Sequence, residues 1–187
     1  MSKQPKPAPP QTPAAIIRQR RRRLADQNDI LGFLGRLAML CALLTMLFGV
    51  VFGIMPMPND DMSPRISAGD LLFYYRIPDD WVSGDVLVIN QQGNRYVARV
   101  VAHGGDTVEV TEDATLVVNG NTVLESDIYY TTPRYESEVT YPLTLADDEL
   151  FVLCDYREGA RDSRWYGPVK TSEVAGKVIT VIRRSGL

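Results

Sequence analysis

The chain has 187 residues, a net charge of −3 and two cysteines. That is enough for one folded domain with appendages, and it excludes a disulfide-stapled scaffold. The charge is split: through Arg36, eight basic residues stand against Asp26 and Asp29, while beyond it twelve basic residues stand against twenty-one acidic ones. A basic head on an acidic body predicts two different surroundings and argues against nucleic acid as a partner of the body.

Residues 1–15 are rich in Pro, Gln and Ala and predict disorder. Residues 16–36 are compatible with a short helix, so 1–36 reads as a basic, largely disordered cytoplasmic segment. From Leu37 to Pro58 no residue is charged, and about 20 apolar residues suffice to span a bilayer core. Residues 37–58 are therefore expected to be a single transmembrane anchor. The RQRRRR cluster at 18–23 precedes the apolar run, which places the N-terminus in the cytoplasm and residues 59–187 outside. The run is long for the apolar stretch of a cleaved leader, and IMPMPND offers no small-x-small cleavage site. The arginines read as topogenic and lipid-facing rather than as a nucleic-acid patch.

Beyond residue 59 the chain alternates short β-prone runs with Gly, Asp, Asn and Pro turns. Strands are expected near Leu71–Arg76, Val86–Asn90, Arg95–Ala102, Thr107–Thr111, Thr115–Asn119, Val123–Glu125, Leu150–Leu153 and Lys177–Arg183. Asn119-Gly120 signals a hairpin turn. Residues 126–148 read as polar and irregular. Many short strands at close spacing imply an all-β domain.

Four segments carry a resemblance, in order along the chain. Asp61-Met62-Ser63-Pro64 is followed by Gly69-Asp70, and then comes Gly84-Asp85-Val86-Leu87-Val88. Ala98-Arg99-Val100 leads through Gly105-Asp106 to Val118-Asn119-Gly120. Finally, Cys154-Asp155-Tyr156-Arg157 precedes Ala160-Arg161-Asp162-Ser163-Arg164-Trp165-Tyr166-Gly167. Together they resemble the type I signal peptidases, membrane-anchored serine peptidases with a Ser/Lys dyad on a β fold. The resemblance implies a signal-peptidase-type β domain on a single N-terminal transmembrane helix.

In that alignment Asp61 stands at the nucleophile and Ala98 at the general base. Ala160 replaces the serine that orients the lysine. Cys154 and Tyr156 replace Gly and Asn of the last segment. Met62, Pro64, Asp155, Asp162, Ser163 and Arg164 remain as expected groove or supporting residues.

A serine hydroxyl needs a neighbouring base to become a nucleophile. In a Ser/Lys dyad that base is a lysine made neutral by burial. Strand alternation puts Tyr96, Ala98, Val100 and Ala102 on one face, so Ala98 sits in an apolar row. Asp61 is no substitute, since an aspartic mechanism needs two carboxylates sharing a proton and the side chain of adjacent Asp60 is expected to point elsewhere. Ser63 and Cys154 are the alternative nucleophiles. The bland readings are a turn residue for Ser63, a buried thiol for Cys154 and a surface turn for His103. No metal-ligand spacing appears, and no cofactor is expected.

The expected function is a non-catalytic, membrane-anchored signal-peptidase-like protein. It would hold an extended peptide or a partner on the outer face of the membrane, since strand-type peptide binding does not need the dyad. Inactive relatives with this anchor act in pilus assembly of Gram-positive bacteria alongside sortases, which makes a pilin-like protein the implied partner. The alternatives are an active peptidase with its nucleophile relocated to Ser63 or Cys154, and a structural subunit partnering an active signal peptidase.

Overall fold

The computed structural model describes residues 12–77, 80–91 and 93–183. It divides into two compact units, Met1–Met46 and Leu47–Leu187.

The first unit is one helix, α1, over Pro13–Met46 (34 residues). Pro13 opens it, a position where the missing N–H costs nothing. The amides of Ala15 and Ile16 close the first turn on the Thr12 carbonyl. No residue of α1 is buried. Near its end the Thr45 hydroxyl donates to the Cys41 carbonyl at 2.8 Å, which satisfies a polar group on an otherwise apolar surface. The helical run through Val51 is long and apolar enough to cross a membrane, by length and composition. The head of the chain is thus more ordered than its composition predicts: the expected disorder fails at 13–15, where Ala and Ile propagate helix well, and residues 1–11 lie outside the described set.

The second unit begins with a π-helical turn, Leu47–Val51, that gives way to strand β1, Phe52–Pro56. The charge-free run 37–58 is therefore not one element, and its last third belongs to the β domain. The cause lies in Val50, Val51 and Gly53. β-Branched residues and Gly weaken helix, and the Tyr74 ring of the next strand lies where a Gly53 Cβ would be. Only Gly admits that strand contact.

The other strands are β2 Leu71–Tyr75, β3 Val86–Gln91, β4 Asn94–His103, β5 Thr107–Val110, β6 Leu116–Val118, β7 Asn121–Thr122, β8 Leu143–Thr144, β9 Glu149–Leu153, β10 Val169–Lys170 and β11 Val174–Ile182. A four-residue helix, α2, covers Ser163–Tyr166. Seven strands form one sheet in the order β1-β2-β11-β3-β4-β9-β10, and four form a second in the order β7-β6-β5-β8. All the pairings are antiparallel. The all-β expectation holds approximately for this unit, while the other unit is the helix α1.

Two apolar cores result. Leu150, Val152 and Cys154 face the larger core, while Phe151 and Leu153 face the smaller. β9 is thus buried on both faces, which explains why Leu150–Leu153 reads as a continuous apolar run rather than an alternating one. β4 also serves both cores, by a different device. Its pairing with β9 slips between Val100 and Ala102, a bulge that adds one residue to one strand. Ala98 and Val100 face the large core, and Val101 and Ala102 the small one. The expected single row ending at Ala102 is wrong for that reason.

The Asn119-Gly120 hairpin forms, with both residues at positive φ (52° and 77°), as a tight two-residue turn requires. The expected strand at Val123–Glu125 does not form. The ladder ends at Thr122, and Glu125 turns away to pair with Arg157.

Candidate functional site

The segment 57–70 is a loop tied at its base. The Met57 amide donates to the Asp70 carbonyl at 2.7 Å, and the Gly69 amide to the Met57 carbonyl at 2.9 Å. Met57, Met62 and Ile66 are buried in the large core, so the loop is pinned from inside. Met62 is fully buried and supports the loop instead of lining a groove, while Pro64 lies exposed.

Asp61 sits half-buried at the loop's bend. Its carbonyl accepts from the Tyr156 amide at 2.9 Å. Its carboxylate accepts from Asn59 Nδ2 at 2.7 Å, and its amide donates to Asn59 Oδ1 at 3.3 Å. Burial pushes the carboxyl above its ordinary value, against the Asn59 hydrogen bond, and the negative charges of Asp162 and Asp60 add to the rise. Asp60 is not a carboxylate partner, because it accepts from the Ala68 amide at 2.8 Å.

Ala98 is completely buried on β4. On one side it pairs with Leu87 of β3. Directly opposed residues hold their Cβ atoms about 4.5–5.5 Å apart. On the other side, the ladder with β9 ends at Arg99↔Leu153, and Cys154, the next residue, lies in the same large core as Ala98. Leu87, Ala98 and Cys154 thus form a sealed row, none more than 2% exposed. The Cys154 sulfur lies 3.7 Å from the Val97 carbonyl and 4.0 Å from that of Arg161. Burial pushes this thiol well up, and the Asp162 and Asp61 carboxylates raise it further. A reactive thiolate needs the opposite surroundings, a cation and exposure.

Around this row stands a frame of arginine–carboxylate pairs. Arg99 clamps Asp155 with two bonds, Nε–Oδ1 at 2.8 Å and Nη2–Oδ2 at 2.6 Å, and Nη1 donates to the Gly84 carbonyl. Asp162 caps α2 by accepting from the Arg164 amide at 3.1 Å, and it also accepts from the Cys154 amide at 3.1 Å. The Arg164 side chain holds both Asp162 oxygens, at 2.9 and 2.7 Å, and donates to the carbonyls of Pro133 and Arg157. The Ser163 hydroxyl accepts from the Val152 amide at 3.0 Å. Arg157 forks onto Glu125 at 2.7 and 2.8 Å and donates to the Cys154 carbonyl and the Thr132 hydroxyl. Arg157, Asp162, Ser163 and Arg164 show no exposure at all. Buried charges persist only when paired and fully hydrogen-bonded, and each of these is.

Asp61, Cys154 and Asp162 are therefore brought together with Ala98, while His103 is not. Five residues on from Ala98, it ends β4 about 17 Å further along, with Nδ1 3.1 Å from Asp106. Beyond residue 11 the lysines are Lys170 and Lys177. Lys177 is engaged by Asp85 at 2.6 Å, and Lys170 lies exposed on β10. Ser63, half-buried in the loop, donates its amide to the Asp60 carbonyl. Among the described residues no group of His, Cys, Asp and Glu is placed to hold a metal.

Residues 30–182 match the family model described as signal peptidase, peptidase S26. The chain belongs to that family. It is 22% identical over 158 residues to signal peptidase I of Bacillus amyloliquefaciens, covering 79% of this chain and 84% of that one. To signal peptidase I S of Bacillus subtilis (strain 168) it is 24% identical over 151 residues, covering 75% and 82%. To the probable thylakoidal processing peptidase 2 of Arabidopsis thaliana it is 30% identical over 132 residues, covering 66% and 34%. A signal peptidase I crystal structure from Enterococcus faecalis V583 aligns with 54% of this chain and 97% of its own, at 28% identity and a TM-score of 0.46.

Within this family member, Asp155, Asp162, Ser163 and Arg164 all fall in the supporting frame. Sequence reading missed the roles of Glu125 and Tyr135. Glu125 is thirty-two positions before Arg157, and no local pattern links them.

Proposed function

We propose that this chain is a non-catalytic, membrane-anchored member of the signal peptidase family that binds an extended segment of a partner protein. The observation that carries this reading is the Leu87–Ala98–Cys154 row, where neighbouring strands close the place from which a base would act. Asp61 beside it is acceptor-only when ionised and has no lysine near it. A Ser/Lys dyad needs a hydroxyl nucleophile and a lysine base, and the side chains of Asp61 and Ala98 supply neither. The frame of buried ion pairs, by contrast, holds the strands in shape. The arginine cluster ahead of the anchor supports a cytoplasmic N-terminus, with the β domain at the outer face. Chaperoning a pilin-like subunit alongside a sortase is the role we assign.

Purified full-length protein in detergent is expected to leave a signal-peptide substrate uncut over hours at micromolar enzyme. Turnover that disappears with Cys154→Ala or Ser63→Ala would overturn the reading. Co-purification from membranes tests the partner: recovery of an active signal peptidase, without pilin or sortase, would reassign the chain as a structural subunit.

A second reading has support of its own. The relatives are named as peptidases, which favours activity with a relocated nucleophile. The elevated Cys154 thiol argues against that residue. Ser63 would need a base, and the nearest-sequence titratable groups, Asp60 and Asp61, are held by Ala68 and Asn59.

A further inference from the structure

A small open slot of about 240 Å³ is lined by Tyr135, Gly159, Ala160, Arg161 and Trp165. Its walls are aromatic and held from behind. The Tyr135 hydroxyl donates to the Arg157 carbonyl at 2.9 Å and accepts from the Gly159 amide at 3.0 Å. The Tyr135 ring lies 4.2 Å from the Arg164 guanidinium. Trp165 rides on α2, edge-on to Tyr135 at 6.3 Å, and is 47% exposed. Fixed aromatic walls lose little freedom when something enters between them.

Among the described residues, the rim carries a charge that no ion pair includes. Arg161 is exposed and lies 5.5 Å over the Trp165 ring. Arg65, Arg99, Arg134, Arg157 and Arg164 each pair with a carboxylate, and none of those ion pairs includes Arg161. A cavity of 240 Å³ is below the ~300–1,000 Å³ of a small-molecule or cofactor site. It has the size for a side chain.

We propose that this slot takes an aliphatic side chain of an extended partner segment, with an acidic residue two positions away pairing with Arg161. Residues two apart in an extended chain face the same way, about 6.8 Å apart. Apolar anchor and carboxylate can therefore reach Trp165 and Arg161 from one face. The inference rests on the partner-binding reading above and names its anchor chemistry. It also moves the contact away from the Asp61–Ala98 position to a rim held by the ion-pair frame.

The experiment uses full-length protein in detergent and the fluorescence of Trp165, since the other tryptophan, Trp81, is only 9% exposed. The probes are acetyl-Ala-Leu-Ala-Glu-Ala-amide and its forms with Leu replaced by Ala or Glu replaced by Lys. The Leu/Glu peptide is expected to shift Trp165 emission to the blue and to shield it from acrylamide. Removing the leucine, or reversing the peptide's charge, is expected to weaken binding at least tenfold. In Arg161→Glu, an exposed substitution that leaves the frame untouched, the preference is expected to invert in favour of the lysine peptide. A saturable response that ignores peptide charge in both proteins, or no response up to millimolar peptide, would overturn the proposal. Partner capture from membranes reports separately. Capture by wild type that persists in Arg161→Glu sinks the slot and leaves the partner-binding reading intact. Peptide binding without any capture does the reverse.

Discussion

The loop 57–70 and the segment 154–164 meet at one hydrogen bond, from the Tyr156 amide to the Asp61 carbonyl, yet they are built on opposite principles. The later segment is dense with charge, most of it buried and paired: Asp155, Arg157, Asp162 and Arg164 each find partners, while Glu158 and Arg161 lie exposed. The loop and the facing strand carry almost no charge inward. Their contribution is Met62, Ala98 and apolar contact, with Asp61 left at the boundary, half-buried and pushed toward its neutral form. The contrast teaches where rigidity is held in this family member. The segment 154–164 is specified by ion pairs that cannot be exchanged singly, and the region of Met62 and Ala98 is specified by packing.

The largest effect is expected from breaking the frame. Asp162→Ala leaves the fully buried Arg164 without its acid and should cost about 3–5 kcal/mol, read as a fall in the denaturant midpoint. A loss below 1 kcal/mol would show the frame to be ornamental. Asp155→Ala is expected to cost less, about 2–3 kcal/mol, because Arg99 retains 15% side-chain exposure and can reach water.

Filling the packed position should come next. Ala98→Lys forces a long side chain between Leu87 and Cys154 and is expected to cost roughly 1–3 kcal/mol in overpacking. Adding Cys154→Gly should return part of that loss by clearing a side chain of the same core. Additive or worsened stability in the double variant would refute the row. For the same reason, Asp61→Ser with Ala98→Lys is expected to stay inactive on a signal-peptide substrate unless Cys154→Gly is included.

The smallest effect belongs to Asp61. A carboxyl raised above its unfolded value contributes stability that is present below the unfolded pKa and lost as pH rises through the folded one. Asp61→Asn should therefore stabilise the domain at neutral pH, by under about 1 kcal/mol given partial exposure, and the gain should vanish in acid. Asp106 provides the opposite sign. Burial raises its carboxyl, but the His103 amide, Asn119 and the His103 ring together hold it low. Its contribution is present above the unfolded carboxylate pKa and lost on acidification. Asn119→Ala, measured by urea unfolding across pH 2–5, should shrink that acid-sensitive part.

Much of the β domain is legible in the sequence because its signals are local. Short β-prone runs between Gly, Asp and Asn turns, alternating or, as in β9, continuously apolar, place β2, β3, β4, β5 and β9, and Asn119-Gly120 places its hairpin within a residue. β1 is not legible that way. Phe52–Pro56 is as apolar as the helix before it, and what makes it a strand is Tyr74 lying against Gly53, a partner twenty-one positions on. β8 and β10, two residues each, owe their existence to neighbours and carry no periodic signal.

The sequence by itself determined the family, because a motif is a local string and survives unfolding. It also determined the apolar N-terminal stretch, whose composition alone sets its affinity for lipid. Tertiary structure decided the rest: that Ala98 is sealed in one core with Leu87 and Cys154, that Glu125 answers Arg157, and that Tyr135, Arg161 and Trp165 share one slot. These are pairings between distant residues, and a buried charge or a vacant space acquires its meaning only from what the fold sets beside it.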